Sequence, residues 1–164
     1  MTRSRGLRRT PPGTTAESLL RGAHASAVLE GSTSSMGDLV EGRGDSIAAD
    51  AVRLSAVVLS QAPLVKTAPL QALARLHTVA ATGSLPDEQL GRPRDEASAD
   101  RLRGLSELLL SQTAAPALVV AAVAHADLAT AAPFPSHNGI VARALERLVL
   151  VSRGVDEKSL VVLE

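Results

Sequence analysis

The chain contains a single phenylalanine, Phe134, and has no tryptophan, tyrosine or cysteine. Hydrophobic residues nevertheless make up 45% of its 164 residues, so the core must be built mainly from alanine, leucine, valine and isoleucine. Stretches of alanine and leucine that also carry arginine and glutamate favour helices, and small side chains allow helices to approach closely. The sequence therefore predicts an all-α protein with an aliphatic core.

Apolar residues recur at helical spacing in about six segments, which are separated by glycine, proline and serine. The predicted helices cover 16–29, 46–60, 62–81, 98–112, 116–130 and 138–152. Residues 31–45 and 83–98 are polar or glycine-rich and are predicted to be loops. The end of the chain, residues 159–164, is predicted to be either a short strand or an extended tail.

Residues 1–15 and 16–164 differ in composition. The first segment carries four arginines among proline, glycine, serine and threonine, which predicts a disordered basic tail. The remaining length suits one domain with one core, so residues 16–164 are predicted to form a single helical domain.

Charge and hydropathy exclude several classes of partner. Lysine plus arginine equals aspartate plus glutamate, at 17 each, so the chain lacks the basic excess expected for broad nucleic-acid binding. The N-terminus has no apolar segment typical of a secretory signal. The longest apolar run, residues 114–124, is too short to span a bilayer. These features predict a cytoplasmic protein without a nucleic-acid or membrane partner.

The segment before the last predicted helix has the residues best suited to binding. Pro133 and Pro135 stiffen it, and Asn138 and Gly139 open the helix. The first N–H groups of a helix lack partners within it, and the helix dipole favours an anion there. Arg143 lies one turn further on, where it would meet a second phosphate. The alternative is a simple helix–helix connection in which Asn138 is the N-cap.

Residues 132–143, Ala-Pro-Phe-Pro-Ser-His-Asn-Gly-Ile-Val-Ala-Arg, resemble the Fic (Fido) family signature His-Pro-Phe-x-(Asp/Glu)-Gly-Asn-Gly-Arg-x-x-Arg. Upstream, residues 26–31, Ser-Ala-Val-Leu-Glu-Gly, resemble the inhibitory helix motif of that family, (Ser/Thr)-x-x-x-Glu-(Gly/Asn). The two motifs occur in the family's order, and the resemblance extends over residues 16–164. It implies a compact helical Fic-like domain.

The resemblance also implies functions for the matching residues. Family members transfer AMP from ATP to a hydroxyl group: the signature histidine is the base, the acidic residue holds magnesium, and the Asn-Gly backbone and two arginines hold the phosphates. The inhibitory glutamate pairs with the second arginine, so contact between Glu30 and Arg143 is expected. The matching residues are Asn138, Gly139 and Arg143 for phosphate binding, Pro133 and Phe134 for the loop scaffold, and Ser26, Glu30 and Gly31 for inhibition.

Four positions depart from the signature. Ala132 replaces the base, Ser136 the metal-binding acid, His137 a glycine and Ile140 the first arginine. Alanine cannot accept a proton, and a general base contributes about 10²–10⁴ in rate. Serine is a poor ligand for a hard cation, so we expect weak magnesium binding. AMP transfer by the family route is predicted to be lost, and ATP or another adenine nucleotide is expected to bind weakly.

Three hypotheses follow. In the first, the protein is a pseudoenzyme that acts by binding a nucleotide or an unidentified protein. In the second, it is an active nucleotidyl or phosphoryl transferase of altered chemistry, with His137 as a substitute base. In the third, it is a structural interaction module. The sequence 91–94, Gly-Arg-Pro-Arg, is similar in position to the substrate-holding flap of the family, although an ordinary surface loop also explains it.

Overall fold

The computed structural model describes residues 13–162. Over this range the chain forms eight α-helices and no β-strand, apart from an isolated bridge between Thr82 and Leu85. The helices are α1 (Thr14–Leu29), α2 (Met36–Val40), α3 (Ser46–Val57), α4 (Ala62–Thr67), α5 (Pro69–Ala81), α6 (Glu96–Leu110), α7 (Ala117–Ala131) and α8 (Asn138–Ser152). Short 3-10 turns occupy Val58–Gln61 and Asp87–Gln89. The predicted all-α class is confirmed.

Two of the differences from the predicted helices have local causes. The predicted loop 31–45 contains α2, whose start is fixed by a capping box between Ser35 and Asp38. The predicted helix 62–81 is broken at Ala68, which has φ −148° and ψ 65°. A residue before a proline is driven out of the helical region by the ring, and Pro69 follows Ala68.

The ends of the domain also differ slightly from the prediction. Helix α1 begins at Thr14, two residues before the predicted start. Most of the predicted basic tail, residues 1–12, lies outside the described residues. At the other end, residues 159–162 form no strand, and residues 163–164 are not described.

Helix α8 is the centre of the core. It packs most extensively against α7 and also contacts α1, α3, α4 and α5. Its apolar side chains are buried around most of its circumference: Ile140, Val141, Ala142, Leu145, Leu148, Val149 and Leu150. Burial of one leucine stabilises a fold by about 1.5–3 kcal/mol, so the position of α8 is strongly fixed. Its N-terminus, where the candidate site lies, is therefore held by the core.

One continuous helical segment, Ser46–Thr67, is long and apolar enough to cross a membrane by length and composition alone. In this structure it comprises α3, a 3-10 turn and α4, and it packs against α1, α5 and α8. Leu54, Val58 and Val65 along it belong to the buried core. A core helix passes the same test, so this segment is weak evidence for a membrane span.

Candidate functional site

The loop between α7 and α8 is anchored by its own buried side chains and by hydrogen bonds within the loop. Phe134 is 1% exposed and Pro133 is fully buried. The Asn138 side chain accepts a hydrogen bond from the Phe134 N–H at 2.9 Å and donates one to the Phe134 carbonyl at 2.9 Å. Asn138 thus closes the loop through its side chain, and only its backbone is left for the phosphate contact expected from the sequence. The loop residues predicted as a scaffold, Pro133 and Phe134, are both core residues.

His77 supports this loop and was not recognised from the sequence, in which it appears isolated. Its ring stacks on Phe134 with centroids 4.3 Å apart, and its Nδ1 accepts the Gly91 N–H at 2.9 Å. Burial, and to a smaller extent nearby His137, lower the pKa of His77 from 6.5 to about 4, while a hydrogen bond with the Ser136 backbone opposes the shift. The buried ring is therefore neutral near pH 7, with the proton on Nε2.

Glu30 and Arg143, which are 113 residues apart in sequence, meet as expected. Arg143 Nη2 donates to Glu30 Oε1 at 2.6 Å, while its Nε donates to Ser26 Oγ at 2.7 Å. The Arg143 side chain is 10% exposed and that of Glu30 is 31% exposed. The motif at the end of α1 and the one at the start of α8 therefore form a single cluster.

Gly31 positions Glu30 by ending α1. Its φ of 97° is in the left-handed region, where glycine is unstrained. The Ser32 N–H bonds back to the Ala27 carbonyl at 2.9 Å and the Gly31 N–H to the Val28 carbonyl at 3.0 Å, which is a Schellman motif. The chain turns sharply after Glu30, and the carboxylate is left facing α8.

Gly139 allows the Glu30 carboxylate to rest against the first turn of α8. A Cβ at this position would overlap Glu30 Oε1 and would lie 3.0 Å from the carboxyl carbon. The carboxylate therefore lies beside the first turn of α8, close to the helix end at which the dipole favours an anion. An anionic side chain of the protein itself thus lies beside the N-terminal turn of α8, where Arg143 holds it.

The four departures from the signature lie in the α7–α8 loop and at the helix ends beside it. Ala132 ends α7 in a left-handed conformation, with φ 44° and ψ 58°. Ile140 is 4% exposed and packs in the core, so this position offers no charge to a ligand. Ser136 is partly exposed in the loop. Within residues 13–162, no group of three or more His, Asp and Glu side chains is arranged to hold a metal ion. Ser136, at the position of the acid, supplies no carboxylate for a magnesium ion.

His137 is held by hydrogen bonds at both ring nitrogens. Its Nε2 lies 2.9 Å from Asp50 Oδ2, and its Nδ1 lies 2.6 Å from Ser136 Oγ. Asp50, on α3, is 4% exposed and also binds Arg53 and the Ser84 hydroxyl, the latter at 2.8 Å. Sequence reasoning found His137 but missed Asp50, because nothing in the apolar pattern of α3 marks it. The His137 ring therefore faces Asp50 of α3 with one nitrogen and the adjacent Ser136 with the other.

The loop formed by residues 83–98 contacts the α7–α8 loop and the His77 side chain that supports it. The Arg94 N–H donates to the Pro133 carbonyl at 2.9 Å, and Arg94 Nη2 donates to the Ala131 carbonyl at 3.1 Å. Together with the Gly91 bond to His77, these contacts hold residues 91–94 beside the α7–α8 loop. The segment that resembles the family's flap is therefore adjacent to the site.

A small cavity lies beneath Arg143, between α1, α3 and α8. Its volume is about 20 Å³, and Ser26 and Arg147 also line it. A space of that size holds about one water molecule. The cavity is therefore too small to hold a nucleotide.

Comparisons with known proteins give a fold but no sequence family. No protein-family model matches the chain, and no curated protein matches it. Among solved structures, Fic-1 (aa134–508) from C. elegans is similar, with a TM-score of 0.66 at 18% sequence identity. The match covers 94% of this chain and 52% of that one, so this chain spans about half the length of that structure. The likeness shows that this helical domain has a Fic-like fold.

Proposed function

We propose that this chain is a Fic-fold pseudoenzyme that binds the phosphates of an adenine nucleotide at the N-terminus of α8, in competition with its own Glu30 carboxylate. One observation carries the proposal: the carboxylate, held by Arg143 at 2.6 Å, lies against Gly139 where a phosphate would lie. A carboxylate and a phosphate are both oxyanions, so a place that holds one suits the other.

The loss of catalysis rests on residue chemistry. The base position holds Ala132, and the position of the metal-binding acid holds Ser136. Without a base the attacking hydroxyl keeps its proton, and without a carboxylate magnesium lacks its anchor. We therefore propose that the nucleotide binds weakly and independently of magnesium, and that no AMP is transferred.

The proposal predicts that neutralising Glu30 opens the site. Calorimetric titration of ATP into Glu30→Gln protein should show binding about tenfold to a hundredfold tighter than to the wild type, since a charge-assisted hydrogen bond of about 1.5–3 kcal/mol no longer competes. Glu17→Gln is the matched control, because Glu17 lies on the same helix, is exposed and pairs with Arg21. That variant should bind ATP as the wild type does, and magnesium should change neither affinity by more than about twofold.

Two outcomes would contradict the proposal. Absence of ATP binding in both wild type and Glu30→Gln protein would favour a structural interaction module. Transfer of label from α-labelled ATP to the protein itself or to lysate proteins by Glu30→Gln protein would favour an active transferase. Circular dichroism of each variant establishes that the fold is retained.

We further propose that the protein works in the cytoplasm, where adenine nucleotides are abundant, and that nucleotide occupancy is read by a protein partner. The supporting observation is the fold, in which α1 supplies the competing carboxylate and also carries exposed apolar side chains, Val28 and Leu29, beside it. Fractionation of cells that express the tagged chain tests the location.

A further inference from the structure

The α7–α8 loop contains an ordered series of three side chains. Ser136 Oγ lies 2.6 Å from His137 Nδ1, and His137 Nε2 lies 2.9 Å from Asp50 Oδ2. A hydroxyl, an imidazole and a carboxylate connected in this order form the arrangement that activates a serine nucleophile, which is recognised by geometry rather than by sequence position. We propose that Ser136 is an acyl-accepting nucleophile, with His137 as its base and Asp50 as the residue that orients His137.

The hydrogen bonds fix the direction of proton transfer. A carboxylate only accepts hydrogen bonds, so the neutral imidazole of His137 carries its proton on Nε2 and donates it to Asp50. Its Nδ1 is then an acceptor and receives the Ser136 hydroxyl proton. Asp50 is held in turn by Arg53 and by the Ser84 hydroxyl, so the carboxylate cannot rotate away.

The backbone contributes to this arrangement. His137 has φ 59° and ψ 15°, a left-handed conformation that residues with a side chain adopt rarely, and it is the N-cap of α8. This turn allows two adjacent residues to face each other through their side chains. The nucleophile stands one residue before the cap of a helix, near N–H groups that lack partners within that helix and are suited to stabilising an oxyanion.

The surroundings indicate an uncharged substrate that approaches from solvent. Ser136 is partly exposed and the adjacent Pro135 is exposed, whereas the His137 side chain is only 13% exposed and faces inward. A negatively charged substrate would have to compete with the Glu30 carboxylate at the first turn of α8, as the proposed nucleotide does, whereas a neutral substrate would not. These features fit a small neutral carboxylic ester.

The reaction balances without a metal or a redox partner. Ser136 Oγ bonds to the ester carbonyl carbon as its proton passes to His137 Nδ1. The tetrahedral species collapses, the carbon–oxygen bond to the alcohol breaks, and the alcohol leaves with that proton. A water molecule then attacks the acyl group, gives a proton to His137, and the proton returns to Ser136 Oγ as the acid departs.

The test uses the full chain and two probes, a fluorophosphonate and p-nitrophenyl acetate. We expect the fluorophosphonate to label one serine, identified as Ser136 by mass spectrometry, and the ester to give a burst of nitrophenol. Ser136→Ala should abolish both, and His137→Gln should slow labelling by about 10²-fold or more. Ser60→Ala is the matched control, because Ser60 is exposed and its hydroxyl bonds only to the Val57 carbonyl and the adjacent Gln61 side chain, and it should leave labelling unchanged.

Asp50→Asn tests the orienting residue. It should lower the rate constant of the burst without changing the ester concentration that gives half the maximal rate, because Asp50 does not touch the substrate. Wild-type labelling no greater than that of Ser136→Ala would overturn the proposal. An acetyl group found on His137 instead of Ser136, or labelling unaffected by His137→Gln in protein with a wild-type circular dichroism spectrum, would overturn it equally.

Discussion

Replacing Gly139 with alanine tests how closely the Glu30 carboxylate lies against α8. The added carbon would overlap Glu30 Oε1 and would lie 3.2 Å from Arg143 Nη2, so the Glu30 side chain must swing away and its bond to Arg143 is lost. A hydrogen bond between charged groups contributes about 1.5–3 kcal/mol, and the partial exposure of Glu30 places this one near the lower end. Alanine stabilises a helix by up to about 1 kcal/mol relative to glycine. The expected net destabilisation is about 0.5–1 kcal/mol.

The same substitution should have the opposite effect when Glu30 is absent. In a Glu30→Ala background nothing is displaced, so Gly139→Ala should stabilise the protein by up to about 1 kcal/mol through helix propensity. The double-mutant cycle should therefore give a coupling energy of about 1.5 kcal/mol. Urea unfolding followed by far-UV circular dichroism is the suitable assay, because the chain has no tryptophan or tyrosine for fluorescence. If Gly139→Ala changed the free energy of unfolding equally in wild-type and Glu30→Ala protein, the placement of the carboxylate against Gly139 would be refuted.

Three further predictions concern the loop and its support. Because unfolded histidine takes up a proton that buried His77 does not, the free energy of unfolding should fall as pH drops from 6.5 to about 4, by on the order of 3 kcal/mol. In His77→Leu protein, the free energy of unfolding measured by urea at several pH values should not show this fall. The same pH dependence in the wild type and the variant would contradict the prediction. Asn138→Ala should cost about 1–3 kcal/mol, since the Phe134 N–H and carbonyl lose their partners; Asn138→Asp, which keeps the acceptor, should cost less in the same assay. Phe134→Ala should cost about 3–5 kcal/mol by thermal or urea unfolding, and a cost below about 1 kcal/mol would show that this side chain does not anchor the loop.

The sequence predicts those parts of the site that depend on local chemistry. Glycine and proline mark the ends of α7 and α8, and Asn138 starts α8 as predicted. Contact between Glu30 and Arg143 was also expected, although it came from a family resemblance and not from the spacing of residues. A pair separated by 113 residues has no local sequence feature that predicts it.

Other parts of the site could not be read from the sequence because they depend on tertiary packing. Asp50 and His77 each lie within an apolar helical pattern, and their partners come from loops distant in sequence. The break between α4 and α5 could have been predicted, since Pro69 restricts Ala68 through a purely local effect. The short helix α2 was missed because its five residues are too few for a periodic pattern.

The ion pair that joins the end of α1 to the start of α8 has a thermodynamic consequence. A ligand that displaced the Glu30 carboxylate would release one tether of α1, and anything that pulled α1 aside would expose the same place on α8. Linkage requires that each event change the equilibrium constant of the other by the same factor. One carboxylate would then couple the position of α1 to the occupancy of the N-terminal turn of α8.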